Sequence, residues 1–439
     1  FVQGFVARRR LYMPTAGKAP APPGSWRAHD EEAAHKYTAR RSSAGVRRNL
    51  VEKRGSFVDE RSISAASEEN REAWRTACKL MRGANTAVKQ LDGPAWVAGL
   101  ALLQQPAVPE LLWSDLGGSG FTPNLDTMTK MGEGEFCTVH VTLAEGADRA
   151  VKTLRRSREG GEVACADLLR ELTVLSRARH RNIIRLKAHG QRPSLVDPGR
   201  LGSVPFGCLE LVEPLTKQLP PEDPGNVMPW VRAQGVKRWP VQRGLDVALQ
   251  IARALRYCHD EYMPGYRLLH RDLKPTNIGL ARGGRVVLMD FGLCKLWQRS
   301  AREEEGEGRC LTAQTGSLRY MAPEVALCQP YSHKAEVFSW ASMVFELTAH
   351  KKPFFWMEPK TYLSEVCEGG RRAALPAAVE ALPELHAAVL ACWSASPAAR
   401  PDFAKVVPVA DTSARHPSAR HPSAPPSTRV GHPPRVSSR

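Results

Sequence analysis

The sequence contains no uninterrupted apolar run of the ~20 residues that a membrane-spanning helix requires. Its best candidate, PAWVAGLALLQQPAVPELLW, is broken by Gln104, Gln105 and Pro106, so no transmembrane segment is predicted. The first residue is Phe1 rather than methionine. We therefore expect an incomplete N-terminus, and the presence of a targeting segment stays open.

Paired cysteines are also missing from the sequence. Its ten cysteines form no Cys-x-x-Cys pair and follow no regular spacing, which argues against a zinc site or a disulfide framework. Reduced thiols are typical of proteins inside the cell, so we predict an intracellular, cytoplasmic location.

Positive charge is abundant but is not concentrated in one block. The net charge is +17; residues 1–123 carry 18 Lys/Arg against 12 Asp/Glu, and residues 410–439 carry 5 against 1. No aromatic cluster or nucleic-acid motif accompanies this charge. We therefore expect no nucleic-acid partner, and the basic ends can serve solubility alone.

Composition divides the chain into four parts. Residues 1–67 are rich in Arg, Pro, Gly, Ser and Ala, which predicts a disordered basic extension. Residues 68–120 are predicted to be a helical N-terminal flank, because apolar residues recur at helical spacing in its first part. Residues 121–409 are predicted to be the main domain. Residues 410–439, with the repeat SARHPSARHPSAPPS, are predicted to be a disordered Ser/Pro/Arg tail.

The main domain has two unlike halves. The segments CTVHVTL, AVKTL and FGCLELV predict strands, and ADLLRELTVLSRA predicts one helix among them. Farther along, VQRGLDVALQIARALRYCHD and KAEVFSWASMVFELTAH predict long helices. Pro- and Gly-rich stretches at 191–205 and 214–229 predict surface loops. The fold class is therefore α+β, with a strand-rich half up to about residue 212 and a larger helical half from about 213 to 409.

Five short motifs follow one another in this domain: the glycine pair of KMGEGEFCTVH, then AVKTL, HRDLKPTN, VVLMDFG and MAPE. The glycines lead into a strand rather than a helix, which excludes a dinucleotide-binding Rossmann protein. In this order and with these gaps, the motifs resemble those of eukaryotic protein kinases. The segments TGSLRYMAPEV and RPDF make the sequence most similar to the tyrosine-kinase-like group, whose members mostly modify Ser/Thr.

The resemblance implies a two-lobed protein kinase fold, with a small antiparallel β-sheet and one helix in the N-lobe and a larger, mainly helical C-lobe. It implies a protein serine/threonine kinase that uses ATP and Mg²⁺ and acts on protein substrates in signalling. An upstream activating kinase is an implied partner. The alternative is a pseudokinase, which keeps the same fold as a scaffold or an ATP-binding switch.

Four charged residues are implied as catalytic. Asp272 would accept or orient the proton of the substrate hydroxyl, and Lys274 would reach the γ-phosphate. Lys152 would bind the α- and β-phosphates and pair with a glutamate of the helix. Glu171 is preferred to Glu162 as this partner, because its place before the apolar stripe and the His-x-Asn-Ile turn resembles the family pattern.

Oxygen ligands for Mg²⁺ and a lining for the nucleotide are also implied. Asn277 and Asp290 are the implied metal ligands, since hard oxygen donors suit this ion. Leu209 is the implied gatekeeper, next to a hinge that binds adenine through backbone groups. The residues implied at the nucleotide are Gly132, Gly134, Phe136, Val139, Ala150, Lys152, Leu209, Glu210, Leu211, Val212 and Gly279.

Three residues depart from the family pattern. Cys137 replaces the third glycine of the loop; its pKa should if anything rise, and we expect ATP to suppress its alkylation. Gly279 replaces a bulky residue beneath adenine, so either the pocket is looser or Leu280 fills it. Glu336 replaces the aspartate that anchors the catalytic loop, and its extra methylene leaves a modest loosening of that loop open.

Other residues are implied in stability and regulation. Glu324 and Arg400 would form a buried ion pair. Ser317 stands where the family usually has threonine and keeps the hydroxyl. Arg271 would hold a phosphorylated activation loop, in which Thr312 is the first candidate site and Thr315 the second. The acidic run EEEGEGR either is solvated charge or substitutes for the phosphate. The residues implied to stack between the lobes are Leu175, Leu186, His270 and Phe291.

Overall fold

The computed structural model describes residues 108–117, 123–144, 147–196, 199, 202–217, 240–299, 316–355 and 357–415. Every structural statement below concerns these residues. The extension predicted at 1–67, residues 68–107 of the predicted helical flank, and the candidate phosphorylation sites Thr312 and Thr315 lie outside them.

Five antiparallel strands form the N-terminal sheet, in the order β1-β2-β3-β5-β4. Directly opposed residues share a face, so the pairs Val139–Lys152 and Ala150–Leu209 place these four side chains on one side of the sheet. This side faces the C-terminal half. The strands are β1 (Thr129–Glu133), β2 (Cys137–Ala144), β3 (Ala147–Leu154), β4 (Leu186–Pro193) and β5 (Ser203–Glu210).

Helix α1 (Glu162–Arg177) covers the same side of the sheet. Leu168, Leu172 and Leu175 recur at helical spacing, and all three are buried. The segment after α1 docks on the C-terminal half, where Ile184 N donates to Leu288 O at 3.0 Å. The helix therefore lies between the sheet and the C-terminal half.

The opposite side of the sheet is covered by the N-terminal flank. Residue Leu111 runs beside β4 and donates its backbone N–H to His189 O at 2.8 Å. A 3₁₀-helix at Trp113–Gly117 follows, and Leu116 is fully buried against Val151 and neighbouring apolar side chains. Residues 108–117, which composition assigned to the helical flank, thus pack directly on the N-terminal sheet.

The C-terminal half is mainly helical. Its central helix α4 is apolar on nearly every side and therefore buried, and Trp340 Nε1 donates to Ala248 O at 2.9 Å. The π-helical turn Tyr257–Glu261 extends α2. The helices are α2 (Val241–Arg256), α3 (Pro323–Ala326), α4 (Lys334–Ala349), α5 (Pro359–Tyr362), α6 (Ala377–Glu380), α7 (Pro383–Cys392) and α8 (Phe403–Arg415), and the short strands are β6 (Val212–Pro214), β7 (Tyr266–Leu269), β8 (Ile278–Ala281), β9 (Arg285–Leu288) and β10 (Lys295–Gln298).

Two boundaries differ from the sequence prediction. β4 extends to Pro193 and β5 begins at Ser203, so strands occupy both ends of the loop predicted at 191–205. Helix α8 continues to Arg415, although a disordered tail was predicted from residue 410. It continues because Ala410 and Ser413 are buried, and burial outweighs the tail-like composition. Within the described residues, no helix combines the length and the apolarity needed to cross a membrane.

Candidate active site

The loop after β7 carries the HRDLKPTN motif and holds its aspartate in a fixed orientation. Lys274 Nζ lies 2.7 Å from one carboxylate oxygen of Asp272, and Ser317 Oγ donates to the other at 3.2 Å. Lys274 Nζ also donates to Ser317 Oγ at 2.9 Å. The side-chain amide of Asn277 donates to Asp272 O at 2.8 Å. One hydrogen-bonded cluster therefore contains Asp272, Lys274 and Ser317.

Glu336 anchors this loop despite its extra methylene. One carboxylate oxygen accepts the Arg271 backbone N–H at 2.6 Å, and the other lies 2.7 Å from His259 Nε2. Burial alone would raise the pKa of Glu336, but His259 and the Arg271 N–H hold that pKa below its usual value. The contact that fixes Arg271, with its φ of 69°, is therefore made by glutamate in place of aspartate.

Gly316 is a site residue that the sequence analysis did not single out. Its φ is +103°, and an added Cβ would lie 2.6 Å from Arg271 O and 3.2 Å from Asp272 Oδ1. Only glycine permits this conformation together with this close approach. The signal in the sequence is that this glycine comes immediately before Ser317, the residue that contacts Asp272.

A second charged cluster forms where the sheet faces helix α1. Lys152 Nζ lies 2.6 Å from Glu171 Oε2 and 3.0 Å from Asp290 Oδ1. Burial alone would lower the pKa of Lys152, but the two carboxylates outweigh burial and raise it. Lys152 in turn lowers the pKa of Asp290 to about 2. Glu171, the preferred candidate, thus pairs with Lys152.

The DFG segment is held in place from both sides. Phe291 is fully buried, with its ring centroid 4.8 Å from that of His270, and Asp290 has a φ of 66°. Arg170 of helix α1, which the sequence analysis did not name, donates to Gly292 O at 3.0 Å. The residues expected to stack between the lobes, Leu175, Leu186, His270 and Phe291, are all buried.

Oxygen donors suited to Mg²⁺ occur where the resemblance implies them. Met289 N donates to Asn277 O at 3.0 Å, which brings Asn277 next to Asp290 in the fold. The amide nitrogen of Asn277 is used within the loop, so its amide oxygen remains as an acceptor. In the described part of the chain, no cluster of three or more His, Cys, Asp or Glu could hold a metal by itself. Two oxygen ligands that share Mg²⁺ with substrate phosphates fit this ion.

The glycine loop leaves space for a ligand close to its backbone. A Cβ added at Gly132 would meet nothing within 4 Å, and one at Gly134 would meet only Cys137 O at 3.7 Å. Neither glycine has a positive φ. The fold therefore needs no glycine here, whereas a phosphate that approaches the backbone does. The loop is fixed at its ends, since Arg155 N donates to Phe136 O at 2.9 Å.

The space beside Gly279 is occupied by its neighbours. A Cβ at Gly279 would lie 2.9 Å from Val212 Cγ2 and 3.4 Å from Met289 Sδ. Leu280 lies on the other face of β8, because side chains alternate along a strand, and so does not fill this space. Val212 therefore takes the room that a larger residue would use. The sequence suggested either a looser pocket or a pocket filled by Leu280. The structure shows neither, because Val212 fills the space.

Glu210 of the hinge directs its side chain away from the nucleotide side. Its carboxylate accepts the Arg185 N–H at 2.9 Å and pairs with Arg285 Nη2 at 2.5 Å. Its own backbone N–H donates to Arg185 O at 3.0 Å. The backbone N–H and the carboxylate of Glu210 are thus both used within the protein.

Cys137 lies at the start of β2, partly buried beside Lys152. Burial raises the pKa of the Cys137 thiol to about 12, and Lys152 offsets only part of this. The thiol is therefore protonated at neutral pH, which agrees with the expected rise in its pKa and with an inert cysteine.

We expect alkylation of Cys137 by iodoacetamide to accelerate about tenfold per pH unit between pH 8 and 10, because thiolate is the reactive species. The thiolate fraction of Cys137 grows throughout this window, because the pKa of the thiol is about 12. Peptide mass spectrometry would follow the reaction, with N-acetylcysteine as a reference whose rate levels off near its ordinary pKa. A Cys137 rate that levels off at the same pH would contradict this burial. ATP should slow labelling if the loop lies over the nucleotide.

Known proteins are similar in sequence to the part of the chain that carries this site. The protein kinase domain model matches residues 125–408. Serine/threonine-protein kinase STY17 of Arabidopsis thaliana is 28% identical over 260 residues, which are 59% of this chain and 39% of that protein. Serine/threonine/tyrosine-protein kinase HT1 of the same plant is 30% identical over 239 residues, which are 54% of this chain and 53% of the HT1 protein. Serine/threonine-protein kinase CTR1, also from Arabidopsis, is 26% identical over 285 residues, 65% of this chain and 31% of its own. The chain thus matches about a third to a half of these relatives.

Proposed function

Because the chain belongs to the protein kinase domain family, we propose that it transfers the γ-phosphate of ATP to serine and threonine hydroxyls of proteins. The observation that carries this proposal is the ammonium of Lys152, held between Glu171 at 2.6 Å and Asp290 at 3.0 Å. This contact requires helix α1 to lie against the sheet and the DFG segment to face it. This arrangement supports the proposal, because phosphoryl transfer depends on positioned charges of this kind.

The chain's own residues supply the positioning and the charge. Lys152 binds the α- and β-phosphates, and Lys274 neutralises charge on the transferred group. Mg²⁺ at Asn277 and Asp290 would neutralise further phosphate charge when bound. Asp272 takes the proton of the substrate hydroxyl while the hydroxyl oxygen forms a bond to the γ-phosphorus. The bond from that phosphorus to the ADP oxygen breaks, and ADP leaves.

Substrates, regulation and location are part of the same proposal. Protein substrates and an upstream kinase acting on Thr312 follow from the family assignment and the implied pocket around Arg271. We place the protein inside the cell, where ATP is available. The free thiols of all eight cysteines in the described residues agree with a reducing compartment.

The deciding experiment is a transfer assay with Mg²⁺-ATP and a generic basic protein, comparing the wild type with Asp272→Asn. We expect wild-type activity to yield phosphoserine or phosphothreonine, and the variant to lose at least about 10²-fold because the proton acceptor is gone. Equal signals from both proteins would refute catalysis at this site. Thermal stabilisation by ATP without turnover in the wild type would instead indicate a pseudokinase scaffold.

Replacement of Ser317 by alanine is expected to lower kcat about tenfold, since a hydrogen bond to a charged partner contributes about 1.5 kcal/mol. The Ser317 hydroxyl donates to Asp272 Oδ1 at 3.2 Å and accepts from Lys274 at 2.9 Å. The matched variant Ser317→Thr keeps this hydroxyl and should retain activity. Loss in both variants alike would show that space, rather than the hydroxyl, matters at this position.

A further inference from the structure

A buried ion pair lies on the side of the sheet opposite the active site. Arg192 of β4 is 1% exposed, and its Nη2 lies 2.7 Å from Glu159 Oε1. The other carboxylate oxygen of Glu159 accepts from Ser194 Oγ and from Leu195 N, both at 2.8 Å. A buried pair of this kind is costly unless its hydrogen bonds are made, and here they are made on both partners.

Arg192 also binds the strand that carries the active-site lysine. Its Nε donates to Thr153 Oγ1 at 2.7 Å, and its Nη2 contacts Leu154 O at 3.3 Å. Thr153 directly follows Lys152, and successive side chains of a strand point to opposite faces. Arg192 therefore binds β3 at Thr153, on the outer side of the sheet. The neighbouring residue Lys152 points to the inner side and contacts Glu171.

Glu159 lies just before helix α1, which carries Glu171, the partner of Lys152. It lies three residues before helix α1, separated from it only by Gly160 and Gly161. The helix begins without a side-chain N-cap, because Gly161 occupies that position. Backbone hydrogen bonds join this turn to the helix, since Gly161 N donates to Arg158 O at 3.0 Å and Cys165 N donates to Gly161 O at 3.0 Å. The segment that Glu159 anchors therefore continues directly into α1.

The N-terminal flank closes over this pair. The ring of Trp113 lies over the Arg192 guanidinium at 5.9 Å and contacts Phe206 edge-on at 5.0 Å. The flank approaches β4 so closely that a Cβ at Gly190 would lie 2.1 Å from Leu111 O. Glycine at this position is thus required for the flank to dock and exclude water from Arg192.

We propose that Arg192 and Glu159 are positioning residues that fix strand β3 and the start of helix α1 relative to each other, and thereby hold the Lys152–Glu171 contact. The kinetic part of this inference rests on the proposed kinase function. The structural part, the placement of α1, does not.

The test uses Arg192→Met in the full chain, with Arg156→Met as the matched control. Arg156 lies in the same β3–α1 connection, but its ion pair with Asp126 is exposed, so removing it changes charge and little else. Two quantities are measured: hydrogen exchange of α1 backbone amides relative to α4 amides, and the KM for ATP against kcat.

For Arg192→Met we expect α1 amides to exchange about tenfold faster while α4 amides are unchanged, because the loss of order is local. The KM for ATP should rise about tenfold, since Lys152 loses its fixed position. Arg192→Lys keeps the charge but not the forked guanidinium that reaches both Thr153 and Glu159. Its α1 exchange rate and its KM for ATP should lie between those of the wild type and Arg192→Met. Arg156→Met should match the wild type.

Unchanged α1 exchange in folded Arg192→Met would overturn the proposal, as would faster exchange in α1 and α4 alike, which indicates general destabilisation. If that variant does not fold, Thr153→Val removes only the strand contact and is measured in the same way; normal α1 exchange in it then overturns the proposal. If the wild type transfers no phosphate, the exchange measurement alone decides on the positioning role.

Discussion

Replacing Asp290 by asparagine is expected to lower phosphate transfer by about 10³-fold, because two electrostatic contributions disappear together. Asp290 is the charged ligand proposed for Mg²⁺, and its Oδ1 lies 3.0 Å from Lys152 Nζ. Asparagine keeps the shape of the side chain but provides no charge for either cation. The side chain is half exposed to the cleft, so the fold should survive the change.

The pH dependence of this effect follows from the lowered pKa. Lys152 holds the pKa of Asp290 at about 2, below its usual value near 3.8. The stability that this carboxylate contributes is present above the unfolded value and is lost only as pH falls through about 2. Asp290 is therefore fully ionised at every working pH, and the ratio of wild-type to variant rates should stay constant between pH 6 and 9.

Initial rates at several Mg²⁺ concentrations would check this prediction, with Asp126→Asn as the control. Asp126 pairs with Arg156 at the surface of the N-terminal half, away from the active site, so its replacement should leave the rates unchanged. A variant that keeps more than about a tenth of wild-type activity at saturating Mg²⁺ would contradict the role proposed for Asp290.

Residues whose neighbours are set by local motifs could be predicted from the sequence. Asp272, Lys274 and Asn277 occur within six residues, and the turn they form brings them together. Lys152 and Glu171 are far from Asp290 in sequence, and only the family order of motifs linked them. For α1 and α2 the helical periodicity was strong enough to predict each helix.

Contacts that depend on long-range packing could not be predicted in this way. Arg192 and Glu159 are 33 positions apart, and in a sequence such residues look like surface charges because charged side chains are seldom buried. Gly316 was not singled out from the sequence, since its close neighbour Arg271 O is reached only in the fold. By contrast, alternation along β8 already implies that Leu280 cannot replace a side chain at Gly279.

The largest effect on stability is expected at Arg400 in the C-terminal half, where all five N–H donors are used. Its guanidinium pairs with both carboxylate oxygens of Glu324, at 2.6 and 2.8 Å. It also donates to three backbone carbonyls, of Ser394, Lys334 and Ala395. This arrangement matches the fork geometry of arginine, which a lysine cannot reproduce.

Arg400→Met should therefore reduce the free energy of unfolding by about 3–5 kcal/mol, since it leaves Glu324 buried without a counter-charge. The melting temperature should fall by roughly 10 °C, measured by calorimetry. Arg253→Met is the control, because the side chains of Arg253 and Asp411 are 38% and 30% exposed, and their pair should contribute less than about 1 kcal/mol. The double variant Arg400→Met/Glu324→Leu should recover part of the loss, because the uncompensated charge is gone. A melting temperature in Arg400→Met no lower than in Arg253→Met would show that this pair does not stabilise the domain.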